Sequence, residues 1–188
     1  EPAEVLVAES FYPAYICVGG IIIDDIVYPD GRTAMGVLGG AVTHAAAGMV
    51  IWGQRPGMVA NAGRDLPEDI RLRLNRDFDL QGMQWLDLPQ ARAWQLFEWD
   101  GRRTEVFRVD EVDPFLHGPD VDALPDTYRA ARGAYLLCDG TLAPWREALP
   151  QATLLWEPNQ HFMTRENAAA FRAALPLVDI VSPNLLEA

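Results

Sequence analysis

The sequence predicts an α/β fold built on a mostly parallel sheet, and three observations carry that prediction. Short apolar, β-branched runs alternate with helix-like segments along most of the 188 residues, the order that parallel strands joined by crossover helices require. Between Trp85 and Val109 the alternation is interrupted by two β-rich arms joined at Asp100-Gly101, a strong short-range hairpin signal. Apolar residues make up 49% of the chain and charged residues 22%, the balance of one domain with a sizeable core.

The elements follow in order. "YICVGGIII" (15–23) reads as a buried strand that runs into a polar loop at the acidic pair Asp24-Asp25. Gly39-Gly40 then precede an Ala-rich run from Ala41 to Trp52, a well-buried helix closed by Gly53. "GMVANAG" is a short strand, "RDLPED" a helix start and "IRLRLNRDF" an amphipathic helix. In "ARAWQLFEWDGRRTEVFRV" apolar side chains occupy both alternating faces of each arm. That pattern suits a sheet covered on one side by its own domain and on the other by a ligand or a second subunit. "DEVDPFLHGPDVDALPD" is a connector. Strand and helix alternate again through "GAYLLC", "LAPWREAL", "ATLLWE", "RENAAAFRAAL" and "VDIVS".

Charge and cysteine usage exclude several functions. A formal net charge of −12 with scattered basic residues argues against nucleic acid as a partner, because neutralising a polyphosphate takes clustered cations. A small anion remains compatible, since helix N-termini and backbone amides bind phosphate without a basic surface. Cys17 and Cys138 each sit in an apolar run, which fits buried reduced thiols and a cytoplasmic setting better than a disulfide or a zinc site. No apolar stretch approaches the length needed to span a bilayer, and the first ten residues lack a signal-peptide pattern, so no membrane association is expected. The chain opens without Met and closes on "DIVSPNLLEA", a strand and turn followed by the start of a helix, as a piece of a longer product would.

In open parallel sheets ligands bind beyond the carboxyl ends of the strands. The residues found there are Asp24, Gly39-Gly40, Gly63 with Asp65, Asp139, Glu157, and Asn184 with Glu187. Each has an ordinary structural explanation beside the functional one. Gly39-Gly40 fits a loop before a helix, and Asp24 fits a solvated strand end. Asp65 is most economically the N-cap of the following helix, and Asn184 with Glu187 fits a capping-box-like helix start. His117 and His161 lie in polar connectors without a spaced partner, which gives neither a metal site nor a triad.

The order of these features resembles the ribokinase-like (PfkB) carbohydrate kinases over essentially the whole chain. It consists of a Gly-Gly-bearing first strand leading to Asp24, Gly39-Gly40 opening an Ala-rich helix, "NAGRD", a β hairpin and "SPNLLEA". The resemblance implies a three-layer sandwich with a mostly parallel sheet and a small β lid, with lid elements around 25–38 and 85–112 and the C-terminal part of the fold missing. It implies ATP-dependent phosphoryl transfer to a hydroxyl of a sugar or nucleoside, with ATP and Mg2+ as cofactors. Asp24 matches the family's sugar-binding aspartate, Gly39 and Gly40 the glycine pair over which backbone approaches the substrate, and Asp139 a polar residue facing the same sugar. Asn184 and Glu187 match the Asn-x-x-Glu motif that organises phosphate and magnesium, Glu187 through water, and Glu157 stands where a phosphate-side polar residue is usual. His44 departs from the pattern, standing where the family commonly has a sugar-binding Asn. A helix-face histidine satisfied by a neighbour is the alternative reading. The hairpin is expected to be the lid, and in relatives such lids often pair between subunits, so a homodimer through the lid is an expectation.

The family's base is an Asp in a Gly-Ala-Gly-Asp-type segment at a helix N-terminus, and no such segment occurs in the 188 residues. The base is therefore expected beyond Ala188, and the 188-residue chain alone is expected to be inactive. The competing expectation is a noncatalytic ligand-binding or interaction module that keeps half of the fold.

Overall fold

A computed structural model describes residues 12–184. Six strands form one wholly parallel sheet: β1 (Tyr15–Val18), β4 (Gly57–Gly63), β5 (Asp79–Leu86), β8 (Gly133–Cys138), β9 (Thr153–Pro158) and β10 (Ile180–Val181), in the order β10-β9-β8-β1-β4-β5. The chain leaves the central β1 for β4 and β5 on one side, then crosses back to lay β8, β9 and β10 on the other. The order therefore reverses at β1, which is where such sheets open a crevice.

Alternation along β1 divides the core. Ile16 and Val18 pack on one face with Leu136, Leu154 and Trp156, beneath helices α4 (Ala143–Ala148) and α5 (Ala168–Ala174). Cys17 points to the other face, with Met58, Ala60 and Tyr135, under α1 (Ala41–Ile51) and α2 (Glu68–Asp77). Helices on both faces give the three-layer sandwich. The residues after Asp110 contain a short helix α3 (Asp113–Leu116) and two 3-10 turns rather than a structureless connector, and they bury Phe115 and Tyr128 completely.

A second sheet of four strands covers one end of the first. It contains β2 (Ile22–Val27), β3 (Thr33–Gly39), β6 (Arg92–Phe97) and β7 (Arg103–Phe107), in the order β3-β2-β6-β7. Two antiparallel hairpins, β2-β3 and β6-β7, meet through the parallel pair β2-β6. Their turns are built alike. In each, an Asp-Gly-Arg sequence lets the aspartate accept from the backbone N–H of the arginine two residues on and from its Nε: 3.1 and 2.7 Å for Asp30 and Arg32, 3.1 and 2.6 Å for Asp100 and Arg102.

Four sequence expectations need correction. "YICVGGIII" is not one strand, because Gly19-Gly20 carry the chain from the parallel sheet into the lid sheet. Asp24 and Asp25 consequently lie inside β2, not in a loop after a strand. The segments 33–39 and 79–86 are strands that the pattern did not announce, and Trp85-Leu86 end β5 of the parallel sheet instead of starting the lid. Asp65 does not cap α2, whose N-cap is Pro67 without a side-chain bond; its Oδ1 accepts from the N–H of Gln90 at 2.5 Å.

Gln90 fastens the root of the lid. Its Nε2 donates to the Ile21 carbonyl at 2.8 Å and its Oε1 accepts from the Gly63 N–H at 2.9 Å, tying the entry of β6 to the start of β2 and the end of β4. The side chain is buried, and each of these bonds replaces one that water would otherwise make.

Candidate functional site

A cleft of about 520 Å³ opens between the lid sheet and the carboxyl ends of β8 and β9. Ile22 and Asp24 from β2, Gln95 from β6, and Arg103, Glu105 and Phe107 from β7 form its lid side. These positions share one face, since Glu105 pairs with Gln95 and Phe107 with Ala93, which in turn pairs with Asp24. Gly40, Ala41, His44 and Ala45 at the start of α1, together with Tyr135, Leu137, Glu157 and Asn184, form the opposite side.

Asp24 is half-buried at the centre of the lid side. Its Oδ1 accepts from Gln95 Nε2 at 2.9 Å. Burial pushes its pKa above the usual carboxylate value, and the Gln95 hydrogen bond opposes that push. The glycine pair fits closely around it. A Cβ on Gly39 would overlap the Asp24 carboxylate, so any side chain there would evict the acid from its place. Gly40 has φ 93° and a Cβ on it would overlap the Gly20 carbonyl, so the turn into α1 needs both the left-handed conformation and the missing side chain.

His44 is exposed on the first turn of α1, with Nδ1 2.9 Å from the Gly40 carbonyl oxygen. Because a carbonyl only accepts, Nδ1 carries the proton in this contact. Glu157 is held by the Tyr135 hydroxyl, which donates to its Oε2 at 2.6 Å, and Asn184 borders the same cleft.

The structure brings together Asp24, Gly40, His44, Glu157 and Asn184, with Gly39 directly behind Asp24. Asp139 is not among them. It faces a separate hollow of about 490 Å³ that also holds His117, Asp120, Asp122 and Cys138, and its Oδ1 accepts from the Thr141 hydroxyl at 2.9 Å. Glu187 lies outside the described residues. Sequence reasoning missed Gln95, Glu105, Arg103, Tyr135 and His161 as cleft residues. For Gln95, Arg103 and Glu105 a signal existed: polar residues at alternate positions in an otherwise apolar hairpin.

On the far face of β2, Asp25 is fully buried and accepts from Arg92 Nε and Nη2 at 2.7 and 2.8 Å, from the Gly36 N–H at 2.9 Å, and from Arg108 Nη1. The Arg92 hydrogen bonds lead in holding its pKa down to about 2, against the upward push of burial. Arg108 also lies over the Trp94 ring, 5.0 Å from its centroid.

Comparison with known proteins places this arrangement. No family model matches the chain. An uncharacterized protein of Schizosaccharomyces pombe is 25% identical over 185 residues, covering 90% of this chain and 50% of its own length. A cytidine kinase of Thermococcus kodakarensis is 28% identical over 86 residues, covering 46% of this chain and 31% of its own. Among solved structures, the nucleoside kinase of Methanocaldococcus jannaschii, described as an archaeal member of the ribokinase family, superposes with TM-score 0.66 at 15% identity, over 95% of this chain and 63% of that one. A fructokinase of Vibrio cholerae bound to fructose, ADP and calcium gives TM-score 0.66 at 16% identity, over 94% and 62%. The chain has the ribokinase-like fold. It spans half the length of the Schizosaccharomyces pombe relative and about three fifths of those kinases. In this ribokinase-like chain the cleft between the lid sheet and the carboxyl ends of β8 and β9 is the candidate site.

Proposed function

We propose that this chain is the acceptor-binding part of an ATP-dependent kinase that phosphorylates a hydroxyl of a sugar or nucleoside. The cleft carries the reading: a small lid sheet places an acid with a raised pKa opposite a glycine-led helix start, at the point where the parallel sheet reverses its strand order. Similarity to a cytidine kinase, a nucleoside kinase and a fructokinase supports the reaction class.

In this reading Asp24, ionised, accepts a hydrogen bond from an acceptor hydroxyl. Gly39 and Gly40 let the acceptor approach backbone, and His44 offers Nε2 to a second hydroxyl. Transfer joins the acceptor oxygen to the γ-phosphorus of ATP, breaks the bond to the leaving ADP and releases the hydroxyl proton. Closing the lid over the acceptor keeps water from competing for that phosphoryl group. Glu157 and Asn184 are assigned to the nucleotide side, with Glu187 ordering magnesium through water. Asp24, Gly39, Gly40 and His44 carry the acceptor half of the chemistry in this reading. We assign the base to a Gly-x-Gly-Asp segment not found in these 188 residues, and the 188-residue chain alone to the inactive state.

Two further assignments accompany it. The cytosol is supported by two free cysteines, Cys17 fully buried with its thiol pKa pushed up to about 12. Separately, no helix among the described residues is long and apolar enough to cross a membrane. A homodimer through the lid is supported by exposed apolar side chains on that sheet, among them Met35 and Val106.

The test uses the natural full-length protein with ATP, magnesium chloride and each of D-ribose, D-fructose and cytidine. ADP release matched by a product 80 Da heavier than the acceptor, the mass of one added PO3H group, is the expected result. Binding of acceptor without any ATP turnover would instead favour the noncatalytic module.

A further inference from the structure

Tyr135 is the one hydrogen-bonding side chain in the run Gly133–Leu137 of β8, where Ala134, Leu136 and Leu137 around it are apolar. Its ring packs in the core with Cys17, Met58 and Ala60, and the residue is only 8% exposed. A phenylalanine would fill that space with no hydroxyl to desolvate, so the hydroxyl has a task beyond packing. It donates to Glu157 Oε2 at 2.6 Å, the length of a charge-assisted O–H···O bond. The register explains the reach. Tyr135 pairs with Leu155 and Leu137 with Glu157, so all four side chains share one face and the bond runs diagonally toward the carboxyl ends of β8 and β9.

The kind of donor decides what the acid can still do. Asp25 is held by two guanidiniums, which orient it and neutralise it together. No ion pair among the described residues includes Glu157. A neutral hydroxyl fixes a carboxylate without cancelling its charge, and it takes only Oε2, leaving Oε1 to what enters the cleft. On the nucleotide side such a charge discriminates. A bare polyphosphate meets repulsion there, whereas one that carries a divalent cation brings a group that carboxylate oxygens suit. A carboxylate free to turn would discriminate less, because ordering it on binding costs rotamer entropy.

We propose that Tyr135 is a positioning residue, which holds Glu157 as a fixed and fully charged carboxylate that favours the nucleotide with its divalent cation over the bare nucleotide. The proposal rests on the kinase reading, which puts Glu157 on the nucleotide side, but its test reads binding apart from turnover.

The experiment titrates the natural full-length protein with ATP by calorimetry, once with magnesium chloride and once with EDTA, for wild type, Tyr135→Phe, Glu157→Gln and the double variant. Melting curves of all four accompany it, and initial rates with D-ribose, D-fructose and cytidine follow. Tyr135→Phe should weaken binding of the magnesium complex about tenfold, the scale for removing the partner that orients a ligating side chain, and binding of bare ATP by less than about twofold. In the Glu157→Gln background the same substitution should change neither by more than about twofold. Magnesium-ATP binding unchanged in Tyr135→Phe, an equal loss for both forms of ATP, or a loss that persists in the Glu157→Gln background overturns the proposal, as does a wild type that binds neither form. Where Tyr135→Phe melts far below wild type, Glu157→Gln alone decides, since it must weaken the magnesium complex and spare bare ATP. Coupling between the two residues without turnover of any acceptor refutes the kinase reading alone. Turnover without the coupling refutes the role of Tyr135 alone.

Discussion

On the cleft face of β2 Asp24 is half-buried, takes one amide hydrogen bond and has its pKa raised by burial, whereas one residue on Asp25 is fully buried among two guanidiniums and a backbone N–H that hold its pKa at about 2. The two acids are identical in type and adjacent in sequence. What separates them is the alternation of a strand, which sends one into the cleft and the other into the back of the lid. An acid whose partners already satisfy it is part of the architecture. An acid that burial leaves under-satisfied is available to a ligand.

The largest expected effect comes from removing the satisfied acid. Asp25→Ala leaves Arg92 and Arg108 facing each other without a counter-charge, and it also strips the Gly36 N–H of its acceptor. Breaking a buried pair from one side typically costs about 3–5 kcal/mol. Here the Arg92 and Arg108 side chains keep 39% and 38% exposure, so water compensates in part and about 2–4 kcal/mol is expected. Urea unfolding at pH 7 checks it. A loss within 0.5 kcal/mol, the range of a surface substitution, would show that the comparison between the acids is misdrawn.

Next comes Asp24→Ala, for which the effect should appear in function instead. Loss of a charge-assisted hydrogen bond predicts about 1.5–3 kcal/mol in kcat/KM for the acceptor, with stability almost unchanged or slightly improved, because the buried carboxylate is itself under strain from desolvation. Steady-state kinetics of the full-length protein beside its melting curve separates the two readouts. Equal losses in both would place Asp24 with Asp25 as an architectural acid.

The pH dependence sharpens the same contrast with opposite signs. Asp25 has a folded pKa below its ordinary value of 3.8, so its contribution to stability is fully present above that value and is lost as pH falls toward about 2. Asp24 has a raised folded pKa, so the folded state holds its proton more tightly than the unfolded one, and ionisation as pH rises costs stability. Acid unfolding between the ordinary Asp25 value of 3.8 and its folded value of about 2 should therefore be less steep in Asp25→Asn than in wild type. The loss of acceptor affinity on acidification should begin above the ordinary carboxylate range and disappear in Asp24→Asn. A wild-type acid limb in both variants contradicts the assignment.

How much of this was legible in the sequence follows from which signals are local. Asp100-Gly101 announced the β6-β7 hairpin because its turn chemistry and its apolar arms coincide. The chemically identical Asp30-Gly31 turn went unread because Pro29 precedes it and the β3 arm, "TAMGVLG", is interrupted by Gly36. The passage of one apolar run through two sheets was invisible, since Ile21–Ile23 continue the hydrophobic pattern of β1 and only the placement of Gly19-Gly20 between sheets divides them. Asp24, Gly40 and His44 could be placed because they stand in one continuous stretch of chain, the β2-β3 hairpin and the start of α1, whose order the family resemblance matches. Gln95 and Glu105 reach the same cleft across 71 residues or more of intervening register, fixed by the β2-β6 parallel pairing that no local pattern encodes. Asp139 shows the converse limit. It follows a parallel strand as the rule demands, yet β8 turns it into the neighbouring hollow.

The smallest expected effect concerns the lid as a moving part, and it tests whether its two faces act separately. The cleft face should respond to acceptor and the outer face to association, because the first carries Asp24, Gln95 and Glu105 while the second exposes apolar and aromatic side chains around Arg92, Trp94 and Arg108. Both faces share the same backbone, so deuterium exchange of the amides in Arg92–Phe107 reports on either event. With a saturating acceptor a protection of about threefold to tenfold is expected, the 0.6–1.4 kcal/mol scale of ordering a marginal hairpin. Raising protein concentration tenfold without acceptor should protect the same amides in wild type. In Asp25→Asn the second response should weaken, since the outer face loses the acid that positions both arginines, while the first persists. Exchange insensitive to acceptor and to concentration alike leaves the hairpin neither lid nor seam, and the division of labour between Asp24 and Asp25 then stops at stability.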